Sequence, residues 1–224
     1  MNQHLTEIAF VLDRSGSMQT MVEPAITGFN RLLREQQQAP GSARFTLVLF
    51  DDQYEVPFQS VPISEVVELG TTTFVPRGST ALLDAIGQTI DGLGKKLQHT
   101  PETDRPGQVI IAILTDGEEN ASARYTWQDI AKRICHQTEK YQWQFLFLGA
   151  NQDAIATAGR MNIHAANTAN FSADENSYAA AKGALSRKMS AVRRRCQGAT
   201  DAETIQDAEA PLEKLREDEE KRGL

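Results

Sequence analysis

Two cysteines in 224 residues, Cys135 and Cys196, are too few and too far apart for a disulfide framework, and neither sits in a C-x-x-C pair. A reducing compartment suits such a chain. Positive charge is also short: 23 Lys and Arg stand against 30 Asp and Glu, a formal net charge of −7. Nucleic acid is therefore not expected as the main partner, because phosphate binding needs a basic face. Long apolar runs are missing too. The first run, Ile8 to Leu12, stops at Asp13, and the residues before it carry no basic region. Neither a signal peptide nor a membrane span is expected, so the chain reads as soluble and cytoplasmic, with no membrane partner. His4, His99, His136 and His164 fall in no ligand spacing and read as surface or packing residues. Common enzyme signatures are absent as well: there is no G-x-S-x-G elbow, no H-E-x-x-H, and no G-x-G-x-x-G after a strand. Gly92-Leu93-Gly94-Lys95-Lys96 lacks the hydroxyl and spacing of a phosphate-binding loop.

What is present is an alternation of two patterns. Forty per cent of the residues are hydrophobic, enough in a chain of this length for one well-filled core. Ile8–Leu12, Phe45–Phe50, Val109–Leu114 and Phe145–Leu148 are short, dense apolar runs, as expected of strands buried on both faces. Between them Ile26, Phe29, Leu32 and Leu33 share a helical face behind Pro24, and Leu82, Leu83, Ile86, Ile90, Leu93 and Leu97 repeat that period. Thr126 with Asp129, and Ser172 with Glu175, are capping-box signatures that open two further helices, the second running from Ser172 to Arg195. Asp51-Asp52-Gln53 reads as a turn into a short antiparallel strand, Tyr54–Phe58, which Pro57 confines to a sheet edge. A weak strand near Ile163–Asn167 would complete the sheet. The order implies a doubly wound α/β domain over residues 1–197, with a mostly parallel sheet, one antiparallel edge strand and helices on both faces. Residues 198–224 turn acidic around Pro211 and read as a mobile tail with one short charged helix, Leu212–Arg222.

Ligands of such sheets bind beyond the carboxyl ends of the strands, where the strand order reverses. Three loops are expected there: Asp13-Arg14-Ser15-Gly16-Ser17-Met18, Pro76-Arg77-Gly78-Ser79-Thr80 and Thr115-Asp116-Gly117-Glu118-Glu119-Asn120. All three offer hard oxygens and none offers His or Cys. Hydroxyls with a few carboxylates suit a small hard cation that keeps some of its waters. In D-x-S-x-S the chain leaves a strand and curls, so alternate side chains converge, and Gly16 allows a positive φ if the curl needs one. A cation held by hydroxyls and one distant carboxylate is undercharged and gains from an anionic oxygen supplied from outside.

Asp13-x-Ser15-x-Ser17, Thr80 and Asp116-Gly117, with their flanks Phe10-Val11-Leu12, Gly78-Ser79 and Leu114-Thr115, resemble the metal-ion-dependent adhesion site of von Willebrand factor type A (vWA) domains. All five positions are present and in order, and the likeness covers roughly residues 5–195. The resemblance implies a six-stranded sheet and a divalent cation (Mg2+, or Mn2+ or Ca2+) held by Asp13, Ser15, Ser17, Thr80 and Asp116. It implies that Ser15 and Ser17 ligate directly, while Thr80 and one of the aspartates exchange between direct and water-mediated contact. The family's switch element is its last helix, here Ser172–Arg195.

The same residues have plainer readings. Asp13 could cap a strand end, Thr80 could be only a helix N-cap, and Glu118 and Glu119 read as solvated loop charges. Arg187, Lys188, Arg193, Arg194 and Arg195 are explained by compensation of a helix dipole better than by RNA binding. The function expected is metal-dependent binding of a protein that presents an Asp or Glu carboxylate, as an intracellular adaptor or subunit, and not catalysis. The alternatives are a subunit whose metal only stiffens loops, or a phosphoryl-transfer enzyme, although Ser15 stands where such enzymes carry a second Asp. A tail carboxylate could also fill the site of its own or a neighbouring chain.

Overall fold

The computed structural model describes residues 1–150, 154–172 and 174–222. Ile8, Phe10 and Leu12 point to one side of their strand, Ala9 and Val11 to the other, and all five are buried. That is the pleat of a strand with no solvent face. The strands are β1 (Asn2–Asp13), β2 (Ser42–Phe50), β3 (Tyr54–Pro62), β4 (Pro106–Thr115), β5 (Gln144–Ala150) and β6 (Thr168–Phe171). They form one sheet in the order β3-β2-β1-β4-β5-β6. Every pairing is parallel except β2 with β3. β3 lies at the edge, as Pro57 requires, and its residues alternate between exposed and half-buried over most of its length. The sixth strand begins at Thr168, beyond the expected Ile163–Asn167, because Asn162 turns the chain at φ 60° and His164 Nδ1 accepts from Ala166 N in a 3-10 turn.

The helices are α1 (Val22–Gln38), α2 (Leu82–His99), α3 (Trp127–Tyr141), α4 (Ala154–Arg160), α5 (Glu175–Cys196), α6 (Ala202–Glu209) and α7 (Leu212–Arg222). α1 and α5 cover one face of the sheet, and α2, α3 and α4 cover the other. The capping box of Thr126 and Asp129 opens α3 as expected. The other expected box does not open α5: Asp174 caps that helix by accepting from Ser177 N, and the Glu175 side chain lies outside the described residues. α5 reads poorly as amphipathic because it is enclosed on several sides. Tyr178, Ala181, Leu185, Met189 and Val192 join the core. On the α1 side, the buried Lys182 donates to Ala25 O, and Arg193 donates to Gln36 O and Gly41 O.

The expectation of a mobile tail is corrected. Residues 202–222 form two helices docked on α5, with Leu212 and Leu215 fully buried in the core and Ala208 beside them. Arg187 and Lys188 of the basic stretch of α5 receive them, while Arg193 faces α1, so helix-dipole compensation is not the main work of these residues. Arg187 holds Asp207 through two bonds of 2.7 and 2.6 Å, and Lys188 donates to Ala210 O. Glu213 accepts from Asn170 N, so α7 also covers the outer edge of β6.

Leu212→Ala should therefore lower the melting temperature by about 4–20 °C, the range for truncating a fully buried leucine in a chain of this size. Calorimetric or circular-dichroism melts of the full chain check it; an unchanged midpoint would restore the picture of a loose tail.

Candidate metal centre

β1 and β4 are neighbours at the centre of the sheet, and from them the chain winds in opposite directions. Their register pairs Leu12 with Leu114, which sets Asp13 beside Thr115. Thr115 Oγ1 donates to Asp13 Oδ2 at 2.5 Å, and Ser15 N donates to Asp13 Oδ1 at 2.7 Å. The second bond starts the curl, which continues as a 3-10 turn, Gly16–Met21. Ser15 Oγ and Ser17 Oγ lie 3.0 Å apart, and Ser17 Oγ donates to Asp116 Oδ1 at 2.7 Å. Thr80 completes the group: a Cβ on Gly117 would stand 2.7 Å from Thr80 Oγ1, 3.4 Å from Ser17 Oγ and 3.5 Å from Ser15 Oγ. The bare Cα of Gly117 thus leaves open a small space ringed by three hydroxyls. All five expected residues converge.

A second set of residues holds the three loops in place, among them Asp51, expected in a turn, and Glu119, expected as a solvated charge. Asp51, fully buried at the carboxyl end of β2, accepts from Arg14 Nε at 3.0 Å and from Arg77 Nε at 2.9 Å. Both arginines continue to Glu55, whose carboxyl is held below its usual range chiefly by the hydrogen bond from Arg14. Arg77 N donates to Arg14 O and Gly16 N to Gly78 O, which ties the first loop to the second. Positive φ is needed at Gly78 (66°) and not at Gly16, and a side chain at Gly78 would also strike Asp52. The third loop joins through Asn120, whose Oδ1 accepts from Thr80 N while its own N–H donates to Thr80 O. Glu119 is no solvated charge. It accepts from Leu83 N at 2.9 Å and so caps α2 from across the site. Thr80 makes no capping bond to that helix, so the N-cap reading of it fails.

Burial sets the electrostatics. Asp13 is 0% exposed, Ser15 2% and Thr80 3%, so these ligand candidates are sunk below the rim, while Asp116 is half-buried and Ser17 exposed. Burial pushes the Asp13 carboxyl up to about 6, against the lowering effect of the Thr115 bond, and raises Asp116 as well. Arg14, next in the chain, is turned to Asp51 instead. No basic side chain pairs with Asp13 or Asp116 among the described residues. Two desolvated carboxylates without a countercharge, ringed by hydroxyls, are a donor set that a divalent hard cation fits. No group of three His, Cys, Asp or Glu side chains placed to hold a metal occurs among the described residues, so any cation here would depend on the hydroxyls.

No protein-family profile matches the sequence, and no curated protein is significantly similar to it. Solved structures do match the fold. Proximal thread matrix protein 1 from the mussel byssus, in a form with a zinc-occupied MIDAS motif, is 14% identical over 85% of this chain and 46% of its own, with a TM-score of 0.54. The pilus adhesin SpaC from Lactobacillus rhamnosus GG, in an open conformation, is 12% identical over 84% of this chain and 30% of its own, with a TM-score of 0.57. A von Willebrand factor type A protein from Catenulispora acidiphila is 14% identical over 84% of this chain and 42% of its own, with a TM-score of 0.51. This chain spans less than half the length of each of these three structures. Its six-stranded mixed sheet with helices on both faces is the fold of von Willebrand factor type A domains.

Proposed function

We propose that the chain is a metal-dependent protein-binding module in which Ser15, Ser17, Thr80 and Asp116, backed by Asp13, hold one divalent cation that bridges to a carboxylate of a partner protein. The observation that carries this reading is the ring of three hydroxyls around the space beside Gly117, with Asp116 bonded to one of them and Asp13 to the backbone of another, and with no basic side chain paired to either carboxylate among the described residues. The cation would supply positive charge to Asp13 and Asp116 and leave a coordination position facing solvent. Asp13 is fully buried, with each carboxylate oxygen already taking a hydrogen bond, so its part is mainly to supply charge and to brace the first loop. Asp116 and Ser17 stand at the open side. An acidic side chain is the partner group with the right charge and hardness for such a cation. We read Mg2+ or Mn2+ as the natural occupant and binding, without turnover, as the activity.

A metal that merely stiffens the loops is the weaker reading, because Asp51, Asn120 and Glu119 already cross-link them. Both cysteines are free, and a reducing compartment such as the cytoplasm suits them, with the chain acting as an adaptor or subunit. The docked tail keeps exposed carboxylates, Glu217 and Glu220 among them, and we propose that one of these could reach the site of another copy. The described helices include none long and apolar enough to cross a membrane.

At metal concentrations about a hundredfold above Kd, mass action stabilises the wild-type chain by about 2.7 kcal/mol, a rise in Tm of about 5–11 °C over the value in EDTA. Asp116→Ala should abolish that rise and Thr80→Ala should reduce it, in melts with EDTA, Mg2+ and Mn2+. Short Asp- or Glu-containing peptides should bind wild type in Mg2+ and not in EDTA. A wild-type chain with no cation-dependent shift and no titration heat up to millimolar metal would overturn the reading.

Asp51→Ala touches no proposed ligand, yet it leaves the buried Arg14 guanidinium without its main partner. It should cost about 3 kcal/mol of stability in EDTA, the lower end for breaking a buried pair because Glu55 remains. Denaturant titration of the full chain measures that loss.

A further inference from the structure

α5 starts after β6, at the carboxyl end of the parallel strands, so its first turn lies on the same level as Asp13 and Asp116. The helix packs across β1, β4 and β6. Tyr178 belongs to that first turn and is 1% exposed. Its ring is held from two sides: the Phe171 ring meets it edge-on at 5.0 Å, and Lys182 Nζ sits 4.3 Å from its centroid. Lys182 is fixed in turn by its bond to Ala25 O on α1, and it lies along Gly28, where any side chain would displace it. The ring is therefore clasped, but its hydroxyl is not. Tyr178 Oη is buried and has no hydrogen-bond partner among the described residues.

A buried phenol without a partner is worse for folding than phenylalanine of the same shape, because the hydroxyl loses water and receives nothing for it. Packing therefore does not explain why this position carries tyrosine. The surroundings of the hydroxyl do. Burial, together with the charges of Asp116 and Asp13, holds the phenol well above its ordinary pKa, so it remains a protonated donor in the field of both carboxylates. Neither carboxylate accepts from it directly. Asp13 is taken by Thr115 and Ser15, and Asp116 Oδ1 by Ser17. The group that fits between the phenol and the cluster is a water, and a divalent hard cation keeps several of its waters when it binds.

We propose that Tyr178 is a positioning residue of the cation site, whose hydroxyl donates to a water held beside the Asp13 and Asp116 carboxylates when a divalent cation is bound. The proposal rests on the reading of the cluster as a cation site. It assigns α5 a polar contact with the site, carried by one side chain whose ring α1 and β6 already hold in position. Removal of a group in this outer layer commonly weakens metal binding by 10- to 100-fold.

The test compares the full-length wild type with Tyr178→Phe, which keeps every ring contact and removes only the hydroxyl. Mn2+ is titrated into each by calorimetry, and each is melted in EDTA. The expected result is a Mn2+ Kd about tenfold weaker for Tyr178→Phe, with an EDTA melting temperature equal to wild type or higher. Equal Mn2+ affinities would overturn the role of Tyr178 and leave the cation site standing. A clearly lower EDTA melting temperature for Tyr178→Phe would also overturn it, since the hydroxyl would then serve the metal-free fold. A wild type that takes up no Mn2+ would overturn this proposal and the site together.

Discussion

The parallel pairing of β1 with β4 is the constraint on which the rest depends. It joins two strands separated by more than ninety residues of chain at the centre of the sheet, the point from which the chain winds both ways. Helices cover the sheet on both faces, so the open space beyond the carboxyl ends of these two strands is where side chains can gather without displacing core. Leu12 opposite Leu114 brings Asp13 next to Thr115 and Asp116 within reach of Ser17. A one-residue slip of either strand would turn that strand's core residues to the wrong layer, so the register that buries Phe10 and Ile113 also sets the cluster.

Charge is managed differently in three places. At the cluster, Asp13 and Asp116 are desolvated and have no basic partner among the described residues. One loop away, Asp51 is equally buried but takes two guanidinium groups, and it works as a bracket. On the far side of α5, Asp207 and Glu219 meet Arg187, which fastens the last two helices. On the proposed reading the distinction is functional: a compensated carboxylate is spent on structure, whereas an uncompensated pair retains free energy for an incoming cation. Arg14 shows how the fold keeps them apart, since it follows Asp13 in the chain yet is drawn to Asp51 and Glu55.

Much of the fold was readable from local pattern. The dense apolar runs gave β1, β2, β4 and β5, Pro57 gave the edge character of β3, and the Thr126–Asp129 box opened α3. What misled was partner identity. The acidic segment after residue 198 lacks a broad apolar face, but Ala208, Leu212 and Leu215 are enough once α5 offers apolar surface flanked by Arg187 and Lys188. The matching signal was there in the basic stretch on one helix and the acidic segment after it. α4 was missed because seven residues show too little period, and β6 was displaced by a turn at Asn162.

The sequence by itself determined most of the strands and helices of residues 1–197 and the five hydroxyl and carboxylate positions, because both are written at short range: a period of two or 3.6, and a spacing such as D-x-S-x-S. Only the tertiary structure decided which acidic residues are free to meet a cation. Asp13, Asp51, Asp116 and Glu119 all follow strands or open loops and look alike along the chain. Their fates diverge because Arg14 and Arg77 reach Asp51, Leu83 reaches Glu119, and nothing basic reaches Asp13 or Asp116 among the described residues. The unpartnered hydroxyl of Tyr178 was invisible for the same reason. Whether a buried hydroxyl has a partner depends on groups far from it in the chain, and burial raises the cost of each unpaired one.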